Sequence, residues 1–304
     1  MTSEIRIANA PCSWGVLEFE STVDAPAPEQ MLDEMSATGY AGTELGDWGF
    51  LPTDPDALRG DLQARKLSLV GAFVPIALSN PRAHADGEAL ALRTAQLLRA
   101  AAEQAPPPPL VISDATVADA ARTARAGRIT PADGLPHHAW HIVVAAIERI
   151  ARTVLERTSV PTVFHHHCAT FVETADEIDT VMRLTSPDLV GLCVDTGHAL
   201  YGGSDPVALV RRHRDRIRHV HFKDCSPEVA SEARRAGWDY ATAVRRGLFC
   251  ELGRGAVDFR AVIAGLQELA YDGWIVVEQD VLPSTGTPAE SAARNRDFLR
   301  RAGL

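Results

Sequence analysis

Four short apolar runs in the second half of the chain end in side chains that can bind a metal ion. Each run ends in histidine or carboxylate side chains, and the runs cover residues 162–167, 190–198, 217–224 and 274–280. Runs rich in β-branched residues and bounded by polar ones are typical of buried strands. A set of imidazole and carboxylate donors without thiolate suits a divalent cation such as Mn²⁺, Co²⁺, Mg²⁺, Fe²⁺ or Zn²⁺.

The spacing within these runs places several donors on a common face. Side chains alternate between the two faces of a strand, so residues two apart point the same way. The residues grouped in this way are His165 with His167, His219 with His221 and Lys223, and Glu278 with Asp280. Each of the last four strands thereby offers at least one donor, and we expect these donors to meet at one end of the fold.

Strands and helices alternate along the whole chain. The expected strands cover residues 5–10, 41–45, 69–74, 110–113, 162–165, 190–194, 217–222 and 274–277. The expected helices cover residues 28–38, 55–66, 88–104, 135–157, 173–184, 206–214, 259–269 and 288–301. Eight such units with right-handed crossovers predict an α/β fold, a (β/α)8 TIM barrel that forms a single domain over residues 1–304. Such a barrel keeps its chemistry at the carboxyl ends of its strands, where the donors are expected.

Two connections are longer than a barrel requires, at residues 114–134 and 226–251. Both follow a strand at the end of the barrel that carries the donors, so we expect them to act as lids or as a partner's contact surface. Residues 233–240 within the second connection are amphipathic, and we interpret them as a local packing element rather than a substrate lid.

Composition excludes several classes of function. The chain has 30 basic and 40 acidic side chains and a formal net charge of −10, so nucleic acid and anionic membranes are poor partners. Its apolar stretches are too short to cross a bilayer, and residues 1–4 lack the features of a secretory signal. The five cysteines are scattered, which favours buried thiols in a reducing cytoplasm over disulfides or a thiolate metal site. The composition is also compatible with a homo-oligomer.

Several motifs resemble the xylose-isomerase-like barrel superfamily of sugar isomerases, epimerases and apurinic endonucleases. They are Asp-Thr-Gly-His at 195–198, His-x-His-x-Lys-Asp at 219–224 and Val-Glu-Gln-Asp at 277–280. Within that superfamily, three further segments most resemble inosose dehydratases. These are Phe-His-His-His at 164–167, Gly-Arg-Gly-Ala-Val-Asp-Phe at 253–259 and the opening Asn-Ala-Pro-Cys-Ser-Trp-Gly at 9–15. The resemblance covers nearly the whole chain.

The resemblance implies one metal ligand from each of the last four strands. That pattern maps onto His165, Asp195, His221 and Glu278, with Mn²⁺ or Co²⁺ as the favoured ions. Many epimerases and isomerases of the superfamily carry a glutamate where this chain has His165. A neutral imidazole there weakens a scheme in which two glutamates exchange protons on opposite faces of the substrate.

The resemblance further implies a dehydratase that acts on an inosose-like polyol ketone through an enediolate. Such a reaction needs a base for the α-proton and an acid for the departing hydroxyl. We assign the base to Glu278 and the acid to Lys223, with Glu44 as a further catalytic candidate. The candidates for substrate binding are His167, His198, Trp14 and Trp48. Glu44 also fits a solvated turn, and Trp14 also fits a cap on the barrel.

Three other functions fit the same residues. A ketose or sugar-phosphate isomerase or epimerase would use the same metal site. A barrel that binds a sugar without turning it over would keep the ligands and lose a proton-transfer residue. A DNA-repair nuclease is disfavoured by the acidic charge. In every reading but the last, the partner is a small polyol or sugar.

Overall fold

Eight parallel strands close into a barrel in the computed structural model, which describes residues 5–16, 26–116, 118–280 and 287–304. In order around the barrel they are β1 (Arg6–Asn9), β2 (Gly42–Glu44), β3 (Ser68–Ile76), β4 (Leu110–Asp114), β5 (Thr162–His165), β6 (Val190–Asp195), β7 (Ile217–Phe222) and β10 (Trp274–Val277), which pairs with β1. Two shorter strands, β8 (Asp224–Cys225) and β9 (Phe249–Cys250), form a separate antiparallel ribbon. The predicted (β/α)8 barrel is confirmed.

The helices are α1 (Pro28–Ala37), α2 (Pro55–Ala64), α3 (His84–Ala102), α4 (Ala120–Arg125), α5 (His137–Thr158), α6 (Ala175–Leu184), α7 (Thr196–Tyr201), α8 (Pro206–Arg212), α9 (Pro227–Ala236), α10 (Tyr240–Arg245), α11 (Phe259–Glu268) and α12 (Pro288–Arg301). Many begin at a local signal in the sequence. Asp54 accepts the backbone N–H of Ala57 at the start of α2, and Asp258 accepts that of Ala261 at the start of α11. Such caps satisfy amide groups that have no partner within the helix.

The first half of the barrel differs most from the sequence-based boundaries. β3 continues through Pro75 to Ile76, and α3 begins at His84 rather than at residue 88. The imidazole Nε2 of His84 lies 2.8 Å from the carbonyl oxygen of Leu78, which ties the start of this helix to the end of the strand. This contact is not visible in local sequence periodicity, so the helix appeared shorter than it is.

The pairing register of the strands determines how far along the barrel axis the predicted donor side chains lie. Asp195 of β6 pairs with His221 of β7, and His165 of β5 pairs with Cys193 of β6. Because parallel strands all run toward the same end of the barrel, donors near their ends share one level. The register thus places imidazole and carboxylate groups from neighbouring strands side by side.

The two long connections are largely structured and pack on each other at the mouth of the barrel. Residues 114–134 contain α4, and residues 226–251 contain α9 and α10, rooted on the ribbon of β8 and β9. We call α4, α9 and α10 together the capping layer. Its buried side chains share a small apolar cluster with the loop after β5, made of residues such as Ala126, Cys168, Tyr201, Tyr240 and Phe249.

A larger apolar cluster lies in and around the barrel. Among the described residues, no helix has the length and apolar character needed to cross a membrane. The prediction that residues 1–4 lack a secretory signal concerns a segment outside the described part of the chain.

Candidate active site

The four side chains predicted as metal ligands converge at the carboxyl end of the barrel. His165 ends β5, Asp195 ends β6, His221 lies in β7 and Glu278 follows β10. Asp195 Oδ2 lies 3.6 Å from His165 Nε2 and 3.9 Å from His221 Nδ1, and Glu278 Oε1 lies 3.2 Å from His221 Nδ1. Donor atoms of Asp195, His221 and Glu278 all lie within 4.8 Å of one another. A single cation could therefore contact them together.

Two of these donors have a partner on one side only. Asp195 Oδ1 accepts the backbone N–H of His198 at 2.7 Å, at the start of α7. Its Oδ2 is buried and makes no hydrogen bond among the described residues, and the same holds for His221 Nδ1. Buried polar atoms normally have partners, so orphaned atoms that approach one another indicate a ligand. The donor set fits a divalent metal ion, since carboxylate and imidazole are ordinary ligands of such ions.

Glu44 orients the imidazole of His221 from the opposite side. Its Oε1 lies 3.0 Å from His221 Nε2 and 2.7 Å from His219 Nε2. A carboxylate can only accept, so both rings donate, which leaves His221 Nδ1 to face Asp195 and Glu278. Burial alone would raise the pKa of Glu44, but the charge of His221 and the hydrogen bonds from both imidazoles hold that pKa below its usual range.

The surroundings of His221 attract positive charge. Burial lowers the pKa of this imidazole, but Cys193, Glu278 and Glu44 outweigh burial and raise it well above its usual value. A site that stabilises a proton on a buried imidazole is also a site that stabilises a bound cation in place of that proton.

His165 and Cys193 remain neutral. Burial, followed by the charge of His221, lowers the pKa of His165, so this imidazole has a lone pair to offer a metal. Burial raises the pKa of Cys193 to about 12. The thiol lies within the donor group formed with His165 and His221 but stays protonated, which agrees with the prediction of buried thiols.

Lys223 is a buried ammonium held by two carboxylates. Its Nζ lies 3.1 Å from Glu278 Oε2, 3.2 Å from Asp280 Oδ1 and 3.4 Å from His198 Nε2. Burial lowers the pKa of Lys223, but Asp280 and Glu278 outweigh burial and raise it. Glu278 therefore has one oxygen directed at His221 and the other directed at the ammonium.

The two histidines predicted to bind substrate lie next to each other. The ring centroids of His167 and His198 are 3.8 Å apart. His167 Nδ1 lies 2.7 Å from the carbonyl oxygen of Cys168, and His198 Nδ1 accepts the backbone N–H of that residue at 3.2 Å. His167 lines the cavity described below, whereas His198 lies behind it, next to Lys223.

A cavity of about 630 Å³, including its open mouth, lies over these groups. Its described polar lining comprises Cys12, Glu44, Asp47, His165, His167, His221, Lys223, Glu278 and Asp280; its apolar lining comprises Ala10, Pro11, Val16, Gly46, Phe73 and Tyr240. This size and mixed character suit a small polar ring or chain.

Several lining residues had no predicted role in the site. Asp280 shares a strand face with Glu278, as the alternation of side chains predicts, and it lines the cavity, although no role in the reaction was assigned to it. Tyr240 comes from α10 and reaches the cavity through the packing of the capping layer. No local pattern in the sequence signals that position.

Both tryptophans predicted as candidates for substrate binding lie outside this lining. Trp14 is 1% exposed, and its indole Nε1 donates to Glu34 Oε2 of α1 at 2.8 Å. Trp48 packs against the large apolar cluster, and its ring lies 4.6 Å from the guanidinium carbon of Arg93. An aromatic residue after a strand can turn toward the mouth or toward the helices, and here both rings have partners on the helical side.

Comparison with known proteins agrees with this geometry. Residues 32–302 match the family described as xylose isomerase-like TIM barrel. The chain belongs to this family. The curated relatives of this xylose isomerase-like barrel include an inosose dehydratase of Geobacillus kaustophilus, 34% identical over 302 residues, which covers 97% of this chain and 94% of that protein. An inosose dehydratase of Lacticaseibacillus casei is 32% identical over 304 residues, or 98% of this chain and 97% of that protein. The resemblance inferred from the motifs is confirmed.

Solved structures show the same fold at low sequence identity. The IOLI protein with a binding zinc atom gives a TM-score of 0.72 at 14% identity and covers 98% of both chains. A probable 3-DHS dehydratase, AsbF, from Bacillus anthracis gives a TM-score of 0.66 at 16% identity, covering 97% of this chain and 99% of that one. Proteins with different names thus share this fold, so the fold alone does not identify the reaction.

Proposed function

We propose that this xylose isomerase-like barrel is a metal-dependent dehydratase that acts on an inosose-like polyol ketone. The observation that carries the proposal is the convergence of His165, Asp195, His221 and Glu278 beneath a cavity that also contains Lys223. Relatives at up to 34% identity, matched over nearly their full length, are named inosose dehydratases. The substrate is a small polyol or sugar.

The four converging side chains would hold the ion. Mn²⁺ or Co²⁺ is our first choice, because borderline ions accept a mixed imidazole and carboxylate set; Mg²⁺, Fe²⁺ and Zn²⁺ fit the same donors. When bound, a divalent ion supplies a positive charge that polarises the ketone oxygen of the substrate.

Glu278 and Lys223 would move the protons. Glu278 takes the proton from the carbon next to the ketone, which yields an enediolate. Lys223 gives a proton to the hydroxyl that departs from the next carbon, and the carbon–oxygen bond breaks to release water. Glu278 is then protonated and Lys223 neutral. The 3.1 Å contact between Glu278 Oε2 and Lys223 Nζ allows that proton to return directly to the amine, which restores the starting state.

Three of the remaining predicted residues fill supporting roles in this proposal. Glu44 holds His221 in the tautomer that presents Nδ1. His167 lines the cavity and binds a substrate oxygen, and His198 supports Lys223.

The neutral imidazole of His165 favours this reading over an epimerase. An epimerase that exchanges protons on both faces of the substrate needs a second base opposite Glu278. Burial and the charge of His221 lower the pKa of His165, so its lone pair is available to a ligand as a neutral imidazole. In this proposal His165 would use that lone pair to help hold the cation.

Product analysis tests the proposal. The protein loaded with Mn²⁺ or Co²⁺ is incubated with inososes and ketohexoses, and products are followed by mass and near-ultraviolet absorbance. Loss of one water with a rise in absorbance is expected for an inosose, whereas an unchanged mass with inversion would indicate an epimerase. Tight binding with no exchange of solvent deuterium would indicate a binding protein without turnover. His221→Ala and Glu278→Ala are expected to abolish water loss in protein that remains folded.

A further inference from the structure

Two arginines join the long connections of the capping layer reciprocally. From the first connection, Arg128 Nη1 donates to the carbonyl oxygens of Ala233 at 3.0 Å and Trp238 at 2.9 Å. From the second, Arg234 Nε donates to the carbonyl oxygen of Gly127 at 2.9 Å. Charged donors to backbone carbonyls make strong hydrogen bonds, so the two connections are fixed to each other as one unit.

Gly127 lies where the capping layer meets the loop after β5. Its backbone N–H donates to Glu173 Oε1 at 2.7 Å, and Glu173 Oε2 accepts the N–H of Ala169 at 2.7 Å. Gly127 has a φ of +74°, and a Cβ at this position would lie 2.5 Å from the ring of Tyr201. The close approach of Gly127 to Tyr201 therefore requires glycine. The hydrogen bond from Gly127 to Glu173 holds the capping layer against the loop that follows His167.

Tyr240 belongs to the capping layer, which these hydrogen bonds hold in place. It begins α10, two residues after Trp238, whose carbonyl oxygen accepts a hydrogen bond from Arg128. The ring is buried and lines the cavity; its centroid lies 5.5 Å from the ring of His167 and 6.5 Å from that of Phe249. The aromatic ring therefore forms part of the cavity wall beside a residue proposed to bind substrate.

The apolar and polar linings together match one class of ligand. A six-membered ring bearing hydroxyl groups has polar edges and two faces of C–H groups. Flat aromatic surfaces contact such faces favourably, whereas an open chain of the same composition presents no continuous C–H face.

We infer that Tyr240 is a specificity-determining residue whose ring contacts the C–H face of a cyclic polyol ketone, and that Arg128 is its positioning residue. The inference rests on the proposed function for its substrate class. Residues 226–251, which carry Tyr240, would make the enzyme prefer a cyclic substrate over an open-chain one.

Calorimetric titration of the Mn²⁺-loaded protein tests the role of Tyr240 by measuring binding alone, without catalysis. The probes are a cyclohexanehexol and an open-chain hexitol, which carry the same number of hydroxyl groups. Tyr240→Leu is expected to weaken binding of the hexol about tenfold, the value of one good aromatic contact, and to leave hexitol binding nearly unchanged. Tyr240→Phe keeps the ring and is expected to bind the hexol within about threefold of the original protein. Tyr240→Met carries the same expectation as Tyr240→Leu if the leucine variant does not fold.

Arg128→Met tests the positioning role. It is expected to weaken hexol binding severalfold in the original protein and to have no further effect when combined with Tyr240→Leu. Arg235→Met is the matched control, because Arg235 is an exposed arginine of α9 whose ion pair with Glu232 spans 3.7 Å. A purely structural role for Arg128 would lower the unfolding temperature equally in both backgrounds and leave the hexol-to-hexitol ratio unchanged.

Two results would overturn the inference: hexol binding that survives both Tyr240→Leu and Tyr240→Met, or a loss in Tyr240→Phe as large as in Tyr240→Leu. Failure of the proposed function gives a different pattern. In that case, hexol binding depends on Tyr240 while the original protein releases no water from any inosose.

Discussion

The side chains of Glu44 and His221 meet inside the barrel through a hydrogen bond of 3.0 Å, although their strands β2 and β7 are not neighbours. The carboxylate fixes which nitrogen of the imidazole is free for Asp195 and Glu278. A carboxylate behind a metal-binding histidine orients the ring and makes it a better ligand. This relationship gives the metal proposal a test that leaves all four proposed ligands unchanged.

We expect Glu44→Gln to lower the affinity for Mn²⁺ or Co²⁺ by about 10–100-fold. The amide keeps the size of the side chain but removes the negative charge that favours donation from Nε2 of His221. Competition with a chelating dye measures the affinity. Glu268→Gln on α11 is the control, since Glu268 is exposed on the barrel's outer layer. Equal affinity in the two variants would contradict a role for Glu44 in metal binding.

We expect Lys223→Met to abolish water loss and to destabilise the fold by about 3–5 kcal/mol. Removal of the ammonium leaves the buried carboxylates of Glu278 and Asp280 without their shared partner, and breaking a buried ion pair from one side is costly. Urea unfolding at a fixed metal concentration measures the stability.

The double variant Lys223→Met with Asp280→Asn separates stability from chemistry. Neutralising Asp280 removes one unpaired charge, so part of the lost stability should return while turnover stays absent. Recovery of turnover in this double variant would rule out Lys223 as the proton donor.

The architecture and the convergence of donors were accessible from the sequence. His165, Asp195, His221 and Glu278 each stand at or near the end of a β-branched run, and parallel strands bring such ends to one level. The period of two along a strand also placed Lys223 with His221 and Asp280 with Glu278. Local spacing was sufficient for these residues because each strand imposes a fixed direction on its side chains.

Contacts across the barrel and within the capping layer were not accessible in this way. Glu44 and His221 are 177 positions apart, and no local rule relates their side chains. Tyr240 reaches the cavity because Arg128 and Arg234 join two long connections, a result of tertiary packing. Trp14 was a candidate for substrate binding, yet its indole donates to Glu34 of α1, since either side of a strand end can accept an aromatic ring.

We expect Arg122→Met to destabilise the protein by about 3–5 kcal/mol. Arg122 is 1% exposed and forms two parallel hydrogen bonds of 2.8 and 2.9 Å with the carboxylate of Glu177. Glu177 also accepts the backbone N–H groups of Glu173 and Thr174, so its unpaired charge would disturb the start of α6.

Arg125→Met is the control for that substitution. Arg125 belongs to the same helix, is 47% exposed on its side chain and lies 3.0 Å from Asp133. Exposed ion pairs contribute less than about 1 kcal/mol, so this variant should unfold in nearly the same urea concentration as the original protein. An equal decrease in the free energy of unfolding in the two variants would show that the buried ion pair stabilises the protein no more than the exposed one.

The stability of the loop after β5 should depend on pH through Glu173. Burial raises the pKa of this carboxyl to about 7, against hydrogen bonds from Gly127 and Ala169 that lower it. The folded protein therefore holds the proton more tightly than the unfolded chain, whose glutamates titrate near the usual value of about 4.3. This contribution to stability is complete below the unfolded pKa and is lost as the pH rises through about 7.

Urea unfolding of the original protein and of Glu173→Gln between about pH 5 and pH 8 measures the effect. The original protein should lose stability relative to the variant across that window, by an amount on the order of 3 kcal/mol. The variant has a constant cost instead, because its amide nitrogen cannot accept the second N–H. A difference between the two proteins that stays the same at every pH would show that Glu173 does not titrate in this range.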